Sequence, residues 1–73
     1  MISEAMFLND LKEMLKSNEE ISMETDLLDI EEWSSLSAMS FLAMAEEKYN
    51  KKIEPFQIAE AILVEDLYDI VSR

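Results

Sequence analysis

The chain contains no glycine and a single proline, Pro55, in 73 residues. Two-residue hairpin turns need positive φ at one or both central positions, and glycine supplies it at least cost. A chain without glycine is therefore poor material for hairpins and is expected to form helices joined by loops that avoid positive φ. Its length allows one domain, residues 1–73, with a modest core. There is no cysteine and no histidine, which excludes a disulfide framework, a zinc site of the Cys/His kind, and Cys or His nucleophiles and bases. No metal site is expected, and the chain reads as a non-enzyme.

Charge narrows the partners. Seventeen acids stand against six bases, a formal net charge of −11. Such a surface repels nucleic acid and anionic lipid, whose recognition needs Lys and Arg, and steers toward basic protein patches. At 49% apolar residues the chain is too hydrophobic for a disordered acidic tail. It has no apolar run of about 18 residues, so no membrane insertion is expected. Met1 to Glu4 carry no basic leader region, and the expected compartment is the cytoplasm.

The first helix is expected from Ser3 to about Lys16, with Ser3 as cap and Phe7, Leu8, Leu11, Met14 and Leu15 on one face. A long connection, Ser17 to Ser34, holds Glu19, Glu20, Glu24, Asp26, Asp29, Glu31 and Glu32 but no base. Ile21, Met23, Leu27, Leu28, Ile30 and Trp33 within it argue for an ordered loop pinned on the helices. The acids read as a solvated run, since they lack the glycine and spacing of a calcium loop. The second helix runs from about Ser35 to Tyr49, with Ala38, Phe41, Leu42, Ala45 and Tyr49 as core face and Leu36, Met39 and Ala43 as a second stripe. Lys48, Lys51 and Lys52 suit its C-terminal end. Pro55 opens a short third helix, Phe56 to about Ala61, and a fourth spans Val64 to Ser72 with Val64, Leu67, Tyr68 and Val71 inward. The fold class is all-α: a four-helix bundle with a long first loop and a short third helix.

At the head of the second helix, Trp33-Ser34-Ser35-Leu36 resembles the W-D-S-L or D-S-L motif of acyl carrier proteins. Glu46-Glu47-Lys48-Tyr49 resembles that family's Glu-Glu-x-Phe, and Ile53 and Pro55 its Ile-Pro, with Glu54 inserted. Val64-Glu65-Asp66-Leu67-Tyr68-Asp69-Ile70 looks like its closing T-V-x-D-L-x-x-x-I, and Asp26-Leu27 like the stretch before the motif. The resemblance covers nearly the whole chain.

It implies a bundle of acyl-carrier type, 4'-phosphopantetheine attached to Ser35 by a phosphopantetheinyl transferase, and acyl groups held on the arm as thioesters. It also implies acyl-transferring or acyl-activating partners with basic patches, docking on Leu36, Met39, Ser40, Ala43, Glu46 and Glu47, and a monomeric protein. An acyl cavity is implied between helices two and three, from Phe41, Leu42, Ala45, Phe56, Ile58, Ala59 and Ile62. A helix N-terminus is also a physically sound place for a phosphodiester. The family's acid before the serine is Ser34 here, with Glu31 and Glu32 nearby, and the upper half of helix two is more neutral and apolar. The more neutral upper half suggests a specialised carrier with its own partners. Several other readings stay open at this point. Ser35 can be a plain N-cap, and Ser34 or Ser37 can be the attachment point. Leu36 and Met39 can pack under the loop, and Trp33 can simply cover the core. The chain can also be a non-covalent acidic adaptor for a basic amphipathic helix, an unmodified regulatory relative, or a D-alanyl carrier.

Overall fold

A computed structural model describes residues 2–73. Four α-helices occur among them: α1 (Glu4–Leu15), α2 (Ser35–Tyr49), α3 (Pro55–Ala59) and α4 (Val64–Ser72), with a 3-10 turn at Leu27–Asp29. The described residues contain no strand beyond one isolated bridge between Asp26 and Leu63.

α1 starts where Ser3, in extended conformation, accepts the Met6 N–H on its hydroxyl at 3.1 Å. It ends at Lys16, whose φ is 55°. α2 ends the same way at Asn50, also at φ 55°. The expectation of loops without positive φ is thus corrected: both long helices finish in the left-handed conformation, without glycine. Asn accepts this readily, whereas for Lys it costs about 1 kcal/mol or more. The gain is closure of the last turn, with Lys16 N–H on Glu13 O and Ser17 N–H on Lys12 O.

The core gathers side chains from every helix. Phe7 sits at its centre, fully buried, with Phe41 edge-on at 6.1 Å and Tyr68 edge-on at 5.4 Å. Leu11 and Leu15 of α1, Met44 and Ala45 of α2, Ile58 of α3, and Val64, Leu67 and Val71 of α4 complete it with Ile53. α1 and α2 are also joined at the surface. The Asp10 carboxylate accepts from Tyr49 Oη at 2.7 Å and from Lys48 Nζ at 3.3 Å. Burial and the adjacent Asp10 carboxylate push the Tyr49 phenol far above its ordinary range.

The long loop is ordered, as its apolar residues suggest. Leu27 and Ile30 are buried, and Ile21, Met23 and Trp33 pack on the core, while Leu28 points outward and is 90% exposed. Asp26 opens the 3-10 turn by accepting the Leu28 N–H on its carboxylate at 2.9 Å. The loop is then stitched to the start of α4 by backbone bonds: Leu27 N–H to Ile62 O, Val64 N–H to Thr25 O and Glu65 N–H to Met23 O, each 2.9 Å. The Asp66 carboxylate holds the other side of this seam, accepting the N–H groups of Ile62 and Leu63 at 2.9 Å each. Those two donors lower the Asp66 pKa below the usual aspartate range, the Leu63 bond most. α3 begins at Pro55 and closes at Ala59, one residue earlier and two residues shorter at its end than the sequence suggests.

Candidate functional site

α2 begins on a serine cluster, and its cap is Ser34. Ser34 is extended (φ −150°, ψ 179°), and its hydroxyl accepts the Ser37 N–H at 3.3 Å. The capping role that sequence allows for Ser35 therefore falls one residue earlier. Ser34 stands where the resembling family has an acid, and it caps as a short acidic residue would. Ser35 is the first helical residue, exposed, and its hydroxyl makes no hydrogen bond to the described residues. The Ser35 and Leu36 N–H groups are unpaired as well, because the backbone bonds of this turn begin with Ala38 N–H on Ser34 O. A hydroxyl free to react therefore lies beside free donors at the positive end of a four-turn helix, which suits a phosphodiester.

Ser35 stands on the rim of an open groove of about 590 Å³ between α2, α3, the 3-10 turn and the α3–α4 connection. Of the expected cavity residues, Leu42, Ile58, Ala59 and Ile62 line it. Phe41 and Ala45 do not; both are fully buried in the core. Successive helical residues are turned about 100° from one another, so Ala38 and Leu42 face α3 while Phe41 and Ala45 face α1. Phe56, in the first turn of α3, is 65% exposed and also lies off the groove.

Other lining residues carried no local signal of their role. Leu27, Leu28 and Trp33 enter from the loop, Met39 from α2 and Ala61 from the α3–α4 connection. They meet because the loop pairs with residues 62–65, a long-range contact that no short pattern encodes. Trp33 covers the core as sequence suggests, half-buried and edge-on to Phe41 at 6.3 Å, and it also walls the groove next to Ser35.

Leu36, Met39, Ser40, Ala43, Glu46 and Glu47 are all exposed on α2, spaced so that they form one continuous outer strip. Leu36, at 79% exposed, does not pack under the loop. No ionisable residue occurs in α2 before Glu46. Acids near Ser35 therefore come from the loop, and they differ. Glu31 is exposed, whereas Glu32 is half-buried with one carboxylate oxygen enclosed and unpaired among the described residues. Asp26 is the acid that lines the groove together with Ser35. No group of three or more potential ligands positioned to hold a metal ion occurs among the described residues, and no helix there is long and apolar enough to cross a membrane.

No family model, no curated protein and no solved structure matches this chain.

Proposed function

We propose that this chain is an acyl carrier protein that holds acyl groups as thioesters on a 4'-phosphopantetheine arm attached to Ser35, serving a dedicated biosynthetic pathway. The observation that carries this reading is an exposed, unbonded serine hydroxyl in the first turn of α2, on the rim of an apolar groove. In the loading step, Ser35 Oγ forms a bond to the phosphorus that carries the pantetheine of coenzyme A. The bond from that phosphorus to the adenosine bisphosphate breaks, and the hydroxyl proton passes to a base of the transferase. The Ser35 and Leu36 N–H groups favour the phosphodiester that results. The arm's terminal thiol supplies thioester chemistry that this cysteine-free chain lacks.

The groove beside Ser35, with Leu42, Ile58 and Ile62 on its walls, offers an acyl chain apolar cover from water. The outer strip from Leu36 to Glu47 offers acyl-transferring partners an apolar upper half and an acidic lower half, complementary to a basic patch. A cytoplasmic, monomeric carrier fits the net charge of −11.

The test is intact mass after incubation with coenzyme A and a broad-specificity phosphopantetheinyl transferase, beside Ser35→Ala. A gain of one phosphopantetheine, absent in the variant, is the expected result. No gain with several transferases overturns it.

A second reading, a non-covalent adaptor, draws on the apolar groups left in solvent: Leu28, Leu36 and Met39 near Ser35, and Phe56 and Ile62 on the α3 side. It predicts that Ser35→Ala leaves partner binding intact in the unmodified protein.

A further inference from the structure

The head of α2 carries chemically equivalent nucleophiles at Ser34, Ser35 and Ser37. Their hydrogen bonds separate them. Ser37 Oγ donates to the Glu32 carbonyl, so its proton is committed. The contact between Ser34 Oγ and Ser37 Oγ, at 3.3 Å, then has a fixed direction: Ser34 donates and Ser37 accepts. Ser34 Oγ also accepts the Ser37 N–H at 3.3 Å. The result is a closed circuit, from Ser34 O–H to Ser37 O–H to the Glu32 carbonyl, returned by Ser37 N–H to Ser34 Oγ. It joins the end of the loop to the first turn of the helix and leaves the Ser35 hydroxyl outside.

We propose that Ser37 is a positioning residue that selects Ser35 as the modified serine by locking Ser34. The inference rests on the carrier reading and deepens it. Attack on phosphorus needs a free oxygen lone pair and a proton that can pass to a base. At Ser34 the hydroxyl proton is directed at Ser37 Oγ, and turning the hydroxyl outward also uncaps α2. At Ser35 neither restraint exists. The tie to the Glu32 carbonyl, in turn, holds Ser34 in the extended backbone its capping role requires. Deleting the Ser37 hydroxyl removes the acceptor for Ser34 and the anchor on Glu32 together, so both serines become available.

The experiment loads the full chain from coenzyme A with a broad-specificity phosphopantetheinyl transferase and maps the modified residue by peptide fragmentation in wild type, Ser37→Ala and Ser37→Thr. Amide exchange at Glu32 to Ser37 is measured on the same unloaded proteins. Wild type is expected to carry the group on Ser35 alone. In Ser37→Ala, a measurable share moves to Ser34, and exchange of the amide at position 37 speeds several-fold as the Ser34 hydroxyl spends time away from it. Ser37→Thr, which keeps the hydroxyl, restores Ser35 alone. A merely structural role for Ser37 changes the total yield and leaves the site unaltered. Wild type loaded on Ser35 with Ser37→Ala still loaded only there overturns this inference and leaves the carrier reading standing. Wild type that takes no group from any transferase overturns the carrier reading itself, and the inference with it.

Discussion

Phe41 and its neighbour Leu42 provide the sharpest test of where the core ends and the groove begins. Phe41 is fully buried, edge-on to Phe7 at 6.1 Å and to Trp33 at 6.3 Å. Truncating a buried Phe to Ala costs about 3–5 kcal/mol, because lost transfer energy and the cavity left behind add. Two aromatic contacts go with it, placing Phe41→Ala near the upper end. At about 0.05–0.15 kcal/mol per residue, a chain of 73 residues holds a total of roughly 4–11 kcal/mol. Phe41→Ala is therefore expected to lose from roughly a third to all of that stability, and Phe41→Leu, which keeps most of the volume, about 1–2 kcal/mol. Leu42 is only partly buried and borders an open groove, so Leu42→Ala creates no enclosed cavity and costs about 1 kcal/mol. The assay is urea unfolding followed by helical circular dichroism and by the fluorescence of Trp33, the one tryptophan. With a slope of about 1 kcal/mol/M, these differences are separated by molar shifts in midpoint. If Phe41→Ala stays folded, with a midpoint within about 1 M of Leu42→Ala, then Phe41 faces an adaptable cavity and the assignment of α2's faces is wrong.

Other outcomes follow from the same contacts. Tyr49→Phe removes the 2.7 Å bond to Asp10 and is expected to cost about 1 kcal/mol after screening at this partly exposed site, read by urea unfolding. Because the folded protein raises the Tyr49 pKa, its contribution is present below the unfolded value of about 10 and fades above it; wild type should lose stability in alkali faster than Tyr49→Phe. Asp66 behaves oppositely. Its lowered pKa means a contribution present above the unfolded value of about 4 and lost as pH falls below it, so Asp66→Asn should flatten the acid limb of Tm against pH. An equally steep limb in that variant refutes the role of its carboxylate at the seam. Salt should raise Tm by several degrees between about 20 mM and 0.5 M, because a net charge of −11 repels itself and the cross-helix pair Lys48–Asp10 contributes little. A fall in Tm shows that specific ion pairs outweigh that repulsion.

The helices were legible because their signals are local. The absence of glycine, the spacing of Phe7, Leu11 and Leu15, and Pro55 at the head of α3 each act within a few residues. The hydrophobic loop residues Leu27 and Ile30 also announced that the connection is pinned, although the same reasoning misplaced Leu28. Features that depend on rotation or on distant chain were not legible. One residue of shift moves the α2 cap from Ser35 to Ser34, and sequence offers adjacent serines with equal claim. A turn of about 100° separates groove from core, so an apolar stripe that includes Phe41, Leu42 and Ala45 mixes the two. The seam between Met23–Leu27 and Ile62–Glu65 is made of backbone bonds, which leave no mark on residue identity.

The apolar excess of α2 links its fold to its use. A surface helix needs one apolar stripe; a helix apolar on several sides is usually buried. α2 fits neither description. Phe41, Met44 and Ala45 satisfy the core, yet Ala38, Met39 and Leu42 turn toward the groove, and Leu36 and Ala43 lie on the outer strip. Stability alone does not account for Leu36 or Met39, which are 79% and 61% exposed and gain little from burial in the folded chain. In so acidic a protein, charged residues at those positions would serve solubility at least as well. On the carrier function proposed above, they are apolar surface left for a cargo or a docked partner to cover. The acids that begin at Glu46 lie at the far end of that strip, and on the same proposal they are the part that a basic patch would meet.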